Sequence, residues 1–452
     1  MITLTFSQLA KLLNIDNPYG EGDFSGIVMD SREVKPGNLF LAIKGEKVDG
    51  HLYLEQAFSN GAAAALVTES VHINKPCFFV SDIIKAIQIL AVYWRNQFSI
   101  PIIGLTGSNG KTTTKNMIAT ILQKACDNKS EQRLATFGNW NTQLATPLML
   151  CQLNKNHRYA VIEMGMDGFG QISKLTQMVK PNVALILNAL PSHLEFMGSL
   201  AGVAKAKGEI FEGLQKNGTA IINADSEFKN YWENLAKEFH INTFGINHPA
   251  TISAKNIQIT TQGSQFILES ENGSIEINLP LLGRHNIMNA LGAAACCLAI
   301  GISLETIRAG LEAIKPELQR LQEKVTSEGV FVLDDSYNAN PASLKAAIDV
   351  LALYKGTKYL ALGDMKELGP TEKALHFEVG QYAKKAGVDY LFAVGELTVE
   401  AVKGFGDNAK HFENKKELVK NLKPLLKKGD CVLAKGSHFS MHMEEVVDAL
   451  LH

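Results

Sequence analysis

The stretch "IIGLTGSNGKTTTK", Ile102 to Lys115, decides the fold. An apolar strand runs into a glycine-rich turn, and the turn opens "KTTTKNMIATILQKA", whose apolar residues recur at helical spacing. That is how a βαβ unit of a parallel sheet begins. The spacing misses the G-x-x-x-x-G-K-[ST] fingerprint by one residue, because Leu105 stands where the pattern wants glycine and the nearest glycines are Gly104 and Gly107. Two readings follow from these residues: a phosphate site with its own spacing, or a glycine turn that ends in GKT. In the first, backbone amides between Gly107 and Gly110 converge on phosphate oxygens at a positive helix end. Lys111 then holds the β- and γ-phosphates, and Thr112 offers its hydroxyl to Mg²⁺.

A magnesium-nucleotide site also needs anionic ligands at the carboxyl ends of neighbouring strands. "YAVIEMG" ends in Glu163, and "NVALILNAL" leads through "PSHLE" to His193. Taken alone, Glu163 reads equally as a surface acid and His193 as a structural histidine. In "SLAGVAKAKGEIFEGL", Leu200, Val203, Ile210, Phe211 and Leu214 share one helical face, and the i, i+3, i+4, i+7 rule puts Lys207 on it, with Lys205 nearly opposite. An ammonium buried there costs several kcal/mol unless it is paired, neutralised or chemically changed; snorkelling to the surface is the alternative.

Outward from this unit, 452 residues exceed what one core supports and suggest about three domains of ~100–200 residues. The first ~97 residues mix short strands ("GIVMDSR", "NLFLAI", "AALVT", "CFFV") with two helical stretches, closing at "FSIP". Beyond "GTAIINAD", "NIQITTQGSQFILESENGSIEINLP" reads as antiparallel hairpins, "HNIMNALGAAACCLAIG" as a buried helix, and "SLETIRAGLEAI" as an amphipathic helix capped by Ser303. Lys315-Pro316 ends the second unit. "GVFVLDD", "KYLALGDM", "DYLFAVGE", "AKHFE" and "DCVLAKG" then form a small doubly wound α/β domain, with the basic run "KKELVKNLKPLLKKG" as a solvated helix face.

Composition narrows the function. The chain holds 44 basic and 46 acidic residues, a net charge of −2 that gives no electrostatic case for nucleic acid or an anionic membrane. The N-terminus lacks signal-peptide layout, and no apolar run approaches the ~20 residues of a membrane span. The six cysteines have no C-x-x-C spacing and read as buried reduced thiols. A soluble, cytoplasmic protein is expected.

In this order, "GLTGSNGKTTTK", "GNWNTQLATP", "IEMG", "SHLE…AKAKGEIF", "GRHNIMNALGAAA", "LDDSYNANPAS", "LGDMKELG" and "KGSHFSMHMEE" resemble the Mur ligases of bacterial peptidoglycan synthesis. The likeness runs from "DSREVKPGNLFLAIKGEKVDGH" to the C-terminus. It implies three α/β domains: an N-terminal UDP-sugar-binding domain (1–98), a central P-loop ATP-binding domain (99–314) and a C-terminal Rossmann-like ligase domain (315–452). The opening "DSR…GNLFLA" belongs to the branch that adds the third residue or the final dipeptide. "LGDMKELG" with "KGS", and the missing D-N-P-R motif, point to addition of D-alanyl-D-alanine to UDP-N-acetylmuramoyl-tripeptide. Folylpolyglutamate synthases share the ATP domain but lack the N-terminal unit.

The implied chemistry is ATP-driven amide synthesis through an acyl phosphate. By resemblance, Gly107, Ser108, Asn109, Gly110, Lys111, Thr112 and Thr113 grip the triphosphate. Thr112 and Glu163 hold one Mg²⁺, and His193 with a carbamylated Lys207 holds a second. Lys111, Glu163, His193 and Lys207 form the catalytic set. Asn289 meets the adenine, while Arg320 and Asp335 reach the γ-phosphate and ribose. Ser31 and Arg32 contact the uridine diphosphate, and Asn139, Asn141 and Thr142 of "GNWNT" line the sugar-peptide channel. A monomer that closes around small-molecule substrates is expected. Two departures stand out: Gln171 where the family often has an acid, and His438 where it has arginine. A histidine carries at most partial charge near neutral pH, which leaves that position's hold on a substrate carboxylate open.

Overall fold

The computed structural model describes residues 1–45, 48–192 and 194–452, and the side chains of all of these except residues 438 and 439. His193 and the side chain of His438 therefore lie outside the described residues.

The strand Ile102–Thr106 lies inside a nine-stranded sheet, between Tyr159–Glu163 and Val183–Ile186. The chain first visits the edge strand Arg133–Ala135, returns to Tyr159–Glu163, and then crosses to Val183–Ile186 on the other side. This reversal opens a crevice outside the carboxyl ends of the three central strands, where open α/β sheets bind ligands. Register aligns Leu105 with Glu163 and Thr106 with Ile186, so the acid leaves its strand beside the glycine turn. The sheet continues through Thr219–Asn223 and His240–Gly245 to the expected hairpins Ile252–Thr260, Gly263–Ser270 and Gly273–Leu279.

Both sheet faces are covered. Lys111–Ala125, Arg284–Ala299 and Leu304–Glu312 bury one face around Ile118, Leu122, Leu291 and Ile307. On the other face, Ile172, Leu175, Val203 and Ile210 belong to a core that continues into the N-terminal unit through Leu9, Phe24, Leu66, Ile87 and Leu90. That unit carries a parallel four-stranded sheet, Ile27–Val28, Leu39–Leu41, Ala64–Val67 and Cys77–Phe79. The C-terminal sheet has six strands, ordered Gln322–Val325, Phe331–Asp335, Cys431–Lys435, Lys358–Gly363, Tyr390–Val394 and Ala409–Phe412. All pairings in it are parallel except the first, and apolar clusters cover both faces.

The doubly wound reading holds, and helix Lys111–Ala125 begins and ends where its apolar period does. Ser303 accepts a hydrogen bond from the Thr306 amide, as a cap should. The helix expected after His193 is broken: Leu200–Gly208 is α-helical, and Glu209–Gly213 tightens into a 3₁₀ turn. Gly213 has no room for a side chain, since a Cβ there would lie 2.2 Å from the Thr176 carbonyl oxygen. All six cysteines are free thiols, five of them buried. No helix among the described residues is long and apolar enough to cross a membrane.

Arg95, 4% exposed, ties the N-terminal unit to the central sheet's helical layer. Its guanidinium donates to the carbonyls of Phe98 (2.6 Å), Val179 (2.8 Å) and Lys180 (3.1 Å), the last two at the end of helix Gln171–Val179. Arg95→Met removes all three bonds and leaves the buried Val179 carbonyl without this partner; it should cost about 2–4 kcal/mol, read as a lower midpoint in urea denaturation.

Candidate functional site

The opening mismatch has a structural cause. Leu105 is fully buried and still part of the strand, so the turn begins only after Thr106 and is shorter than the fingerprint assumes. Gly107 packs against Leu187, with space so tight that a Cβ would approach the Leu187 Cβ to 2.9 Å. Gly110 has φ +81° and precedes Lys111–Ala125 with no side-chain cap, which leaves the first-turn amides facing the crevice end of the helix. The loop is fastened to the segment leading to His193. Ser108 N donates to Asn188 O (3.2 Å), Ser108 Oγ to Leu190 O (2.9 Å), and the Asn109 amide to Asn188 Oδ1 (3.0 Å).

Lys111 Nζ donates to Gly107 O at 2.8 Å and Ser108 O at 3.3 Å, within the loop itself. Burial lowers its pKa, Glu163 opposes that, and the nearby Arg320 reinforces it. Thr112 is buried, and its hydroxyl accepts from Arg320 Nη2 at 3.2 Å. Thr113 is half-buried in the first turn.

Glu163 is 1% exposed. One carboxylate oxygen accepts from Asn141 Nδ2 at 2.7 Å; the other, Oε2, is buried without a partner among the described residues. A buried carboxylate oxygen with an open lone pair fits a divalent cation, whose preferred ligands are oxygens. Thr136, at the end of the edge strand, orients this acid: its hydroxyl accepts from the Glu163 amide at 2.9 Å, and its carbonyl takes Lys115 Nζ at 2.9 Å.

Lys207 is 2% exposed on the apolar face, while Lys205 is exposed, so snorkelling is excluded. Its pKa falls well below the usual lysine value, first through burial and second through Lys111 nearby. Two ammoniums side by side in a buried site disfavour each other, and the larger fall is at Lys207. Among the described residues no cluster of three or more His, Cys, Asp or Glu gathers to hold a metal.

The C-terminal domain reaches this centre. Arg320 stacks 4.0 Å over the Tyr337 ring and donates to the Thr112 hydroxyl, which places its guanidinium at the first turn of the phosphate-loop helix. Asp335 is held by Lys435 Nζ (2.5 Å) and the Leu321 amide (3.0 Å). Asn289 packs on Gly110 and donates to Asn286 Oδ1 at 3.0 Å. Asn141 belongs with Glu163, whereas Asn139 and Thr142 are exposed on the same loop. In the N-terminal unit, Ser31 Oγ donates to Gln56 Oε1 at 2.7 Å, and Arg32 forks onto Asp30 in the open. Gln171 bonds to Asp167, so a carboxylate stands one helical turn before the position where the family often has an acid. Asn188, Thr136 and Asn340 were not singled out from the sequence; only their places just beyond strands, or before a helix, could have marked them.

A glycine turn at a sheet's switch point, a buried lysine and an orphaned carboxylate on the adjacent strand define a nucleotide-binding α/β protein of the P-loop kind. Family models agree along the chain: "Mur ligase middle domain" matches residues 105–297, "Mur ligase, glutamate ligase domain" 319–438, and "Mur ligase family, catalytic domain" 23–98. The UDP-N-acetylmuramoyl-tripeptide--D-alanyl-D-alanine ligase of Escherichia coli (strain K12) is 41% identical, over 100% of this chain and 99% of its own. A crystal structure of MurF from Acinetobacter baumannii superposes with TM-score 0.93 at 34% identity, covering 100% and 99% of the two chains. MurF ligase from Thermotoga maritima in complex with ADP gives 0.83 at 26% identity, covering 94% and 97%. The chain belongs to the Mur ligase family.

Gly110 is the residue the loop can least replace. In Gly110→Ala the methyl would meet Asn289 Oδ1 at 2.3 Å and the backbone would keep a left-handed φ, so a loss of roughly 1–3 kcal/mol is expected in thermal or urea unfolding.

Proposed function

We propose that this chain is the ATP-dependent ligase that joins D-alanyl-D-alanine to UDP-N-acetylmuramoyl-tripeptide, giving the pentapeptide of cytoplasmic peptidoglycan precursor synthesis. The observation that carries the reading is a relative of that name, 41% identical over the whole chain, together with a site built for a polyanion: Lys111, Lys115 and Arg320 near the buried Glu163. A D-alanine dipeptide is preferred over a single third amino acid because the dipeptide-adding relative is 41% identical over the whole chain and a MurF structure superposes with TM-score 0.93.

The tripeptide's terminal carboxylate oxygen attacks the γ-phosphorus of ATP; an O–P bond forms and ADP leaves with the bridging oxygen's electrons. The amine nitrogen of D-Ala-D-Ala then attacks the acyl carbon, passes through a tetrahedral species, loses a proton and expels phosphate. Lys111 and Arg320 supply positive charge where the γ-phosphoryl group develops negative charge, and in a dry site that counts for more than in water. The loop from Gly107 to Thr113 orients the triphosphate, and Asn289 with Asp335 serves the adenosine. Ser31 and Arg32 serve the uridine diphosphate, and Asn139, Asn141 and Thr142 the sugar-peptide arm. The three domains make up the protein as residues 1–98, 99–314 and 315–452, acting as a monomer.

The open Glu163 Oε2 and the Thr112 hydroxyl fit one Mg²⁺; by resemblance, His193 with a carbamylated Lys207 would hold a second. When bound, the ions neutralise phosphate oxygens and polarise the reacting groups. Carbamylation needs the unprotonated amine, which burial favours by lowering the Lys207 pKa: the nitrogen adds to CO₂, an N–C bond forms, and one proton leaves to solvent. The product is a carboxylate, which relieves the repulsion from Lys111.

Release of ADP should require both UDP-N-acetylmuramoyl-tripeptide and D-Ala-D-Ala. Turnover with a single amino acid on the shorter dipeptide precursor would overturn the reading in favour of third-residue addition. Lys207→Ala should lose about 100-fold or more in kcat and recover part of it with added short carboxylic acids. Full activity without rescue would remove the carbamate from the mechanism.

A further inference from the structure

Asn109 sits in the middle of the phosphate loop, yet its side chain turns away from the loop to the C-terminal domain. Its Nδ2 donates to Asn340 Oδ1 at 3.1 Å, and Asn340 Nδ2 donates back to Asn109 Oδ1 at 2.6 Å. The two carboxamides form a closed pair in which each gives one hydrogen bond and takes one. Such a pair forms only when both amides meet edge to edge, so it reports docking geometry sharply.

Both partners are anchored. The Asn109 backbone is clasped by Asn188, whose Oδ1 accepts from the Asn109 amide (3.0 Å) and whose Nδ2 donates to its carbonyl (3.1 Å). Asn340 caps the helix Pro341–Leu351: its Oδ1 also accepts from the Ser343 amide at 2.9 Å, and proline follows at the first helical position. A shift of that helix is therefore passed to the loop backbone rather than absorbed by a loose side chain. The pair does not stand alone. Asn109, Thr112 and Asn116 are spaced by three and four residues, and they meet Asn340, Arg320 and Glu317 respectively. One edge of the loop and its helix thus faces the C-terminal domain entirely through polar, direction-dependent contacts.

We infer that Asn340 is a positioning residue for the ligase reaction: pairing with Asn109, it couples the seating of the C-terminal domain to the shape of the phosphate loop. The inference rests on the proposed ligase activity. When the domain seats, the pair sets the loop while Arg320 arrives at Thr112; when it lifts, both are lost together. The Asn340 carboxamide is taken up by Asn109 and the Ser343 amide, so its effect should fall on kcat more than on the KM for ATP.

Asn340→Ser separates this role from helix capping, because serine caps as well as asparagine but is too short to reach Asn109. The unfolding midpoint should hold while kcat for ADP release falls about tenfold, the worth of one or two lost hydrogen bonds. The radius of gyration of the full chain by small-angle scattering should rise. Asn109→Ala should cost about the same, and the double variant Asn109→Ala/Asn340→Ser should cost no more than either alone. Wild-type kcat in Asn340→Ser, additive losses in the double variant, or a kcat loss matched by a fall in unfolding midpoint would each overturn the inference. Scattering needs no turnover: a wild-type chain inactive on these substrates defeats the functional reading, while an unchanged radius of gyration in Asn340→Ser defeats the coupling.

Discussion

The structure depends on one electrostatic arrangement: buried or half-buried cations gathered around a single buried carboxylate. Lys111, Lys115 and Arg320 converge near Glu163, and Lys207 lies near Lys111. Left alone, such a centre would repel itself apart or shed protons. The fold resists this in three ways. Main-chain carbonyls of the loop take Lys111, the Thr136 carbonyl takes Lys115, and a ring face and a hydroxyl take Arg320. Lys207 is buried beside Lys111, and burial first and that neighbour second hold its pKa well below the usual lysine value. An excess of positive charge in a crevice of low polarisability is a standing attraction for a triphosphate and for oxygen-rich metal complexes.

Much of this was legible in the chain. The Ile102–Lys115 stretch marked strand, turn and helix because all three signals are local. Lys207 was legible for the same reason: helical periodicity alone places a lysine on an apolar stripe, and its burial is then a matter of geometry. The contacts that complete the site were hidden because they join residues far apart in sequence. Nothing near Asn340 announces Asn109, and nothing near Thr136 announces Glu163. Short strands were hidden for another reason. Arg133–Ala135 and His240–Gly245 are brief and partly polar, so they lack the apolar run by which buried strands are recognised, and neighbours in the sheet decide their state.

The two outer domains meet the central one through different physics. The N-terminal unit shares an apolar core with the central domain and is pinned by Arg95, whose three acceptors span the join. Trp94 adds a bond from its indole nitrogen to Leu153 O at 2.8 Å. Separating these parts would expose buried hydrophobic side chains, a cost that grows with area and tolerates no partial opening. The C-terminal domain meets the phosphate-loop helix through amides, a carboxylate and a guanidinium. Polar groups on this edge regain water when they part, so this edge opens at little cost, whereas Leu282, packed on the C-terminal core, and Gly283, against Val350, form an apolar part of the join.

That difference bears on the chemistry. An acyl phosphate survives only where water is kept out, and substrates enter only where the site can open. A seam of exchangeable hydrogen bonds meets both needs, provided that closing is accurate. Apolar surfaces would slide over many near-equivalent packings, whereas a reciprocal amide pair and an arginine set on one hydroxyl accept a single register. The tight loop sharpens this further. With Leu105 retained in the strand, the turn between Thr106 and Lys111 has little slack, and Gly110 is wedged against Asn289. A loop with so little freedom transmits a displacement instead of absorbing it, which makes its one-residue departure from the common phosphate-loop spacing part of how the C-terminal domain is felt at the reacting phosphate.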